Sequence, residues 1–163
     1  DGMILDDRHL AVQAFREALE QFGGTVLATH NCSRDLCDHD RQLNDGQILA
    51  LAERGGVVGT AFDDWMLSPL WDHDAADNAQ ITLATALDHI AHICQLTGSS
   101  EPAAIGSDLD GGVGTDEFPA DLDTIADLQR FTEILDKRGY SAEATAAILN
   151  GNWLRFLRDA WGE

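Results

Sequence analysis

Residues Thr25–Phe62 read TVLATHNCSRDLCDHDRQLNDGQILALAERGGVVGTAF, and the fold turns on this stretch. TVLATH (25–30) is β-branched and apolar, the composition of a buried strand, and His30 stands where the chain leaves it. A polar loop runs from Asn31 to Leu43. Asn44 and Gln47 have the spacing of a capping box, in which each side chain satisfies an orphan amide at the other position. That predicts a helix over Gln47–Arg54, closed by Gly55, a residue that takes the left-handed C-cap conformation without a Cβ clash. VVGTAF (57–62) is the next apolar strand. Strand, helix and strand in so short a span imply parallel strands joined by a right-handed crossover.

The alternation continues in both directions. GMILDD (2–7) is a short apolar run ending in acids. Leu10–Phe22 reads as a helix, with Leu10, Val12, Ala14, Phe15, Ala18 and Leu19 on one side and Gly23-Gly24 as its stop. Downstream of Phe62 comes a loop containing Asp63, Asp64, Trp65, Pro69 and Trp71. A helix over Asn78–Leu96, closing near Gly98, precedes the strand AAIGSD (103–108). A glycine-rich loop (111–119) leads to a helix over Leu122–Arg138, whose end is basic and stopped by Gly139. Ser141 caps a last helix reaching about Trp161, with a break at Asn150-Gly151.

This is an α/β pattern of four β/α units plus a terminal helix. Two architectures accommodate it, an open doubly wound sheet and a (β/α)8 barrel. A barrel of about 250 residues spends roughly 31 on each unit, so four units here make half of one. Polar residues able to hold a metal stand at C-terminal strand ends: Asp6, Asp7 and His9 after the first, His30 after the second, Asp108 after the fourth. Barrel enzymes build their sites on that face. No glycine-rich phosphate loop follows the first strand, which counts against a nucleotide-binding open sheet.

The 163 residues are 44% hydrophobic and 24% charged, values of a globular chain, so a wholly disordered one is excluded. We treat residues 1–163 as a single partial domain. Ten basic residues against 29 acidic ones give a formal charge of −19, which disfavours nucleic acid and anionic membranes and leaves a divalent cation as the better partner. Cys32, Cys37 and Cys94 form no even disulfide framework, which fits a reducing compartment and a cytoplasmic location, with Cys94 as a core filler. No apolar run approaches the ~20 residues of a membrane-spanning helix, and no signal peptide is visible. The chain starts at Asp1 rather than Met, as expected of a fragment or a processed product.

His30 is open to two readings, a capping or loop histidine and a metal ligand. His9 lies one β/α unit earlier at the equivalent strand end, and neighbouring strand ends lie about 5 Å apart, so the two imidazoles can converge on one ion. Asp108, in GSDLDGG, either caps a turn or acts as base or proton shuttle beside a metal-activated water. Asp110 reads as a turn residue. Arg41 is either a surface ion-pair partner or a guanidinium fork for a substrate carboxylate. His39, His73, His89 and His92 read as structural. Trp65 and Trp71 pack over a rim, and Trp153 and Trp161 pack the terminal helix. Asp116, Glu117, Asp121 and Asp123 are solvated or lie near a helix N-terminus.

The segments LDDRH, ATHNCSRDLCDHDRQLND, RGGVVG, LDHIAHICQLTG, IGSDLDGG and GYSAEATAAILNGNWLRFLR together resemble the membrane (renal) dipeptidase family of zinc peptidases, in the amidohydrolase-like barrel group. They run in the family's order and cover nearly the whole chain, matching the C-terminal half of the family from its fifth barrel strand onward. The resemblance implies a (β/α)8 TIM-type barrel that holds two zinc ions and hydrolyses dipeptides. It implies that His9 and His30 ligate one zinc, that Arg41 contacts substrate near its carboxylate, and that Asp108 shuttles the proton. The family's His-x-Asp pair, its metal-bridging glutamate and the histidine that stabilises the tetrahedral intermediate fall before Asp1. Its frequent SHSN is THNC here, and Trp65 lies in the loop where renal members carry a tyrosine.

The resulting expectation is a zinc metallodipeptidase as the full-length protein. This chain ligates at most one zinc, partly, and is inactive alone. Its partners are a dipeptide substrate, the missing N-terminal half of the barrel and, through an open edge and exposed interior, a second copy in a homodimer. Two other readings compete: a non-catalytic half-barrel interaction module, and a different metal-dependent amidohydrolase-type hydrolase.

Overall fold

A computed structural model of the chain describes residues 3–7, 9–72, 80–109 and 114–162. The strands are β1 (Ile4–Asp6), β2 (Thr25–Leu27), β3 (Val58–Ala61) and β4 (Ala103–Ser107). The helices are α1 (Val12–Gln21), α2 (Asp45–Glu53), α3 (Asp64–Leu67), α4 (Leu83–Thr97), α5 (Arg130–Lys137), α6 (Ala142–Ala146) and α7 (Asn152–Trp161). All strand pairings are parallel, β1 with β2 and β3 with β4. A parallel bridge between Ala28 and Val58 joins the two ribbons, so the strands stand side by side in chain order. This is the arrangement of consecutive β/α units.

The strands are shorter than their apolar runs. TVLATH is regular only to Leu27, because Asn31 N–H reaches across to the Gly59 carbonyl and Thr29 turns to Asp6 instead of continuing the ladder. Around these strand ends the backbones lie so close that a Cβ at Gly59 or Gly106 would collide with the Thr29 carbonyl. The capping box on α2 forms as the spacing predicts, Asn44 accepting from Gln47 N–H at 3.0 Å and Gln47 accepting from Asn44 N–H at 3.2 Å. Gly55 takes a φ of 71°, the left-handed turn that ends the unit.

Three elements depart from the sequence expectation. The loop after β3 contains the one-turn helix α3. The helix expected over Leu122–Arg138 begins as a 3-10 segment (Ile125–Gln129), because Thr124 and Asp127 cap each other before α5 starts. The expected break at Asn150-Gly151 is a π-helical turn, Ala147–Gly151, through which α6 runs into α7. Cys32, Cys37 and Cys94 are free, the first two buried.

The sheet is covered on both faces. Leu5, Val26, Ala28, Val58 and Ala103 pack beneath a layer that includes Phe15, Ile48, Leu51, Leu87, Ile90 and Phe131 from α1, α2, α4 and α5. Leu27, Val57 and Ala104 on the opposite face pack against Trp153, Phe156 and Leu157 of α7. The apolar interior expected to be exposed is therefore buried under the terminal helix. The outer edge of β4 is also occupied. Asn152 Nδ2 donates to the carbonyls of Ser100 and Ala103 at 2.7 and 2.8 Å, and Trp153 Nε1 donates to the carbonyl of Ile105 at 2.8 Å. Trp161, expected to pack, is 57% exposed at the end of α7.

Candidate functional site

The C-terminal ends of β1, β2, β3 and β4 bring His9, His30, Asp63 and Asp108 to one rim. The rings of His9 and His30 stand edge to face with centroids 5.6 Å apart. His30 Nε2 lies 3.5 Å from an Asp108 oxygen. Arg41 Nη2 lies 2.9 Å from His9 Nε2. The residues singled out in the sequence thus meet in one place. Among the described residues the only non-glycine positions with positive φ are His9 (65°), Ser107 (55°) and Asp108 (65°). Such backbone costs about 1–3 kcal/mol per residue and persists where the surroundings fix it, typically at functional sites.

A chain of polar contacts runs behind His30. Asp6 accepts from Thr29 N–H at 3.1 Å and from the Thr29 hydroxyl at 2.8 Å. Thr29 Oγ1 also lies 3.1 Å from His30 Nδ1. A hydroxyl has one proton, and the shorter contact gives it to the carboxylate. Nδ1–H of His30 is then the donor to Thr29, and a neutral ring in this tautomer keeps its lone pair on Nε2, the nitrogen facing Asp108. At His9 the always-protonated Arg41 donates to Nε2. In the neutral form both imidazoles thus offer Nε2 as the nitrogen that can bind metal.

Asp63 was missed in the sequence reading. It follows β3 as Asp108 follows β4, it is buried, and its Oδ2 has no hydrogen-bond partner. Burial, reinforced by the neighbouring Asp108 charge, pushes its carboxyl up to about 6. Its position directly after an apolar strand was the available signal, but DDW read as an ordinary loop. Asp7, buried with both carboxylate oxygens lacking hydrogen bonds, is likewise pushed up to about 6 by burial and then by Asp6.

Arg41 is held on three sides. Its guanidinium carbon lies 5.7 Å from the centre of the Trp65 ring, its backbone N–H donates to His39 Nδ1 at 3.1 Å, and its carbonyl accepts from Asn31 Nδ2 at 3.0 Å. A cavity of about 310 Å³ opens here between His9, Leu10, Ala11, His39, Asp40 and Arg41. Trp65 is thus a neighbour of the arginine, besides packing against the core.

The other expectations divide. His89 is structural as read: it accepts from Ser33 N–H at 3.0 Å through Nδ1 and meets the Leu67 carbonyl at 3.0 Å through Nε2, and burial holds its pKa down. Asp121 accepts from Leu83 N–H at 2.7 Å at the start of α4. His73 and Asp110 lie outside the described residues. Among the described residues, the side chains close enough to share one metal ion are Asp35, Asp45 and His92, none of them in the set at the strand ends.

The membrane dipeptidase family, peptidase family M19, matches residues 1–161. The chain belongs to this family. It is 31% identical over 159 residues to an uncharacterised protein in the pqqA 5′ region of Klebsiella pneumoniae, covering 98% of this chain and 55% of that protein. It is 29% identical over 157 residues to human dipeptidase 3, covering 96% of this chain and 30% of that one. The fold matches an amidohydrolase from Pseudomonas aeruginosa at a TM-score of 0.84 and 23% identity, over 99% of this chain and 54% of that chain. It also matches a metallo peptidase from Rhodobacter sphaeroides, solved with a phosphinate mimic of the dipeptide L-Ala-D-Ala, at 0.84 and 23%, over 98% and 43%. The α/β fold is therefore that of this amidohydrolase-like group. The chain spans about half or less of the length of the relatives it matches.

Proposed function

We propose that residues 1–163 are the C-terminal half of a (β/α)8 barrel and supply part of the active site of a zinc-dependent dipeptidase. In this reading His9 and His30 ligate one metal, Arg41 holds the substrate carboxylate and Asp108 moves the proton. The observation that carries it is the Asp6–Thr29–His30 relay. It turns the Nε2 lone pair of His30 toward the Asp108 carboxylate at 3.5 Å, an arrangement that calls for a cation between the two. The donor set is right in kind for zinc, two imidazole nitrogens with a carboxylate nearby. Such an ion acidifies a water and polarises a carbonyl.

The chain's own groups do the rest. Arg41 leaves His9 Nε2 when that nitrogen takes up a ligand, and its fork is then available for a free carboxylate, with the Trp65 face keeping the guanidinium in place. A cation anchored on the terminal carboxylate favours short substrates. Asp108 takes a proton from the attacking water and passes it to the leaving amine. Asp63 beside it, pushed up to about 6, holds its proton into mildly acidic pH and there limits charge repulsion around Asp108.

Two histidines are too few ligands for a complete site. The reading therefore places the remaining ligands on an N-terminal half that docks at the outer edge of β1, which pairs with no other described strand than β2, and closing the barrel then requires Asn152 and Trp153 to release the β4 edge. The test is hydrolysis of a dipeptide by the complete gene product, with and without zinc. Metal-dependent cleavage, lost in Asp108→Asn and His30→Ala and absent from the 163-residue chain alone, is expected. No cleavage by the complete product points to a non-catalytic half-barrel. Cleavage of other amides or lactones in place of dipeptides points to another hydrolase of the same group.

A further inference from the structure

We infer a second divalent-metal site, formed by Asp35, Asp45 and His92 and sharing no residue with the cluster at the strand ends. One ligand atom from each of the three side chains lies within 4.8 Å of the other two. His92 Nε2 and Asp45 Oδ1 are 2.8 Å apart. The three come from separate parts of the chain: the turn after β2, the first turn of α2, and the outer side of α4. Asp35 is exposed, and its carboxylate has no hydrogen bond or ion pair with any described residue, yet it faces a second carboxylate.

The chemistry selects the ion. Two carboxylates and a neutral imidazole carry a formal charge of −2, which one divalent cation balances. Donors around an ion bonded at about 2.0–2.2 Å stand roughly 3.3–3.6 Å apart in a tetrahedron. The three atoms now lie within 4.8 Å of one another with His92 and Asp45 at 2.8 Å, so binding requires Asp35 to turn inward and the His92–Asp45 contact to open. The nitrogen donor favours zinc or cobalt over manganese, calcium or magnesium, and three protein ligands leave room for water. The loop that holds Asp35 also carries His39 and Arg41. A metal here clips that loop to α2 and α4, and so steadies the arginine that reaches His9. The inference does not depend on the dipeptidase reading, since it concerns other residues and a binding readout.

The test is zinc binding by equilibrium dialysis and thermal unfolding, on the chain carrying His9→Ala and His30→Ala, which removes the two strand-end imidazoles. One zinc per chain and a zinc-dependent rise in the unfolding midpoint are expected. Cobalt substitution should give visible absorption bands that disappear with His92→Ala. Asp35→Asn touches an exposed side chain without partners, so the fold tolerates it; it should weaken zinc at least about tenfold, no less than the loss of an outer-shell partner does. Absence of zinc binding in the His9→Ala/His30→Ala chain overturns the proposal, and so does binding that Asp35→Asn leaves unchanged.

Discussion

At the scale of single residues, each proposed ligand depends on what stands behind it. The Thr29 hydroxyl lies between the Asp6 carboxylate and Nδ1 of His30, and so favours the tautomer with the proton on Nδ1. Thr29→Val keeps the shape and removes the relay. We expect it to lower zinc affinity in the complete protein by about 10–100-fold, with Thr29→Ser restoring most of it, as read by competition with a chelator. Asp7 has the opposite character, a buried acid whose oxygens have no hydrogen bond among the described residues. Its carboxyl is pushed from 3.8 up to about 6, chiefly by burial, so the folded state holds the proton more tightly than the unfolded chain. Folding is then opposed progressively as pH rises from the unfolded value through the folded one, and fully opposed above it. Asp7→Asn should raise stability at about pH 7.5 by on the order of 2 kcal/mol and change it little near pH 4. Denaturant unfolding at the two pH values checks this, and an equal effect at both contradicts it.

At the scale of elements, Asn44 and Gln47 show how much a short spacing can fix. Both hydrogen bonds of the box form, and α2 starts where they place it. Asn44→Ala should cost about 1 kcal/mol in chemical denaturation, since one orphan amide loses its acceptor. The units legible in the sequence were of this kind, apolar runs ended by glycine or a cap. Less legible were elements set by long-range contacts. Thr29 leaves the β2 ladder for Asp6, so no count of apolar residues could have ended that strand at Leu27. The pull of Thr124 and Asp127 tightens the start of α5 into a 3-10 segment, and only the folded distances display it. The site followed the same division. His9, His30 and Asp108 could be picked out because motif and strand-end position coincide, and Arg41 from its motif alone. Asp63 could not, because its consequence is burial beside Asp108, a contact between residues far apart in the chain. The positive φ at His9 and Asp108 was equally hidden, since neither residue type announces it as glycine does.

At the scale of the whole molecule, α7 decides how the sheet meets its surroundings. A parallel sheet with an uncovered face and a free edge invites another chain to pair with it. In this chain the face carrying Leu27, Val57 and Ala104 lies beneath Trp153 and Phe156. The outer carbonyls of β4, those of Ala103 and Ile105, are taken by Asn152 and Trp153. These two side chains stand where a further strand would otherwise pair, and Asn152, 2% exposed, satisfies two carbonyls at once. The charge of −19 adds general repulsion between copies, but it is long-range and screened by salt, whereas the α7 cover is local. Removing residues 152–163 should therefore expose both the apolar face and the β4 edge. We expect the shortened chain to self-associate with a steep dependence on concentration in sedimentation velocity, even at low salt where repulsion is strongest. The full chain under the same conditions should show much weaker association. A milder variant isolates the edge from the face: Asn152→Leu keeps a branched side chain of four heavy atoms and removes the amide donor, so the buried Ala103 carbonyl loses this partner while that of Ser100 keeps Ala103 N–H. It should destabilise the fold by about 1–3 kcal/mol. Equal association by the full and shortened chains would show that α7 is not what guards this sheet.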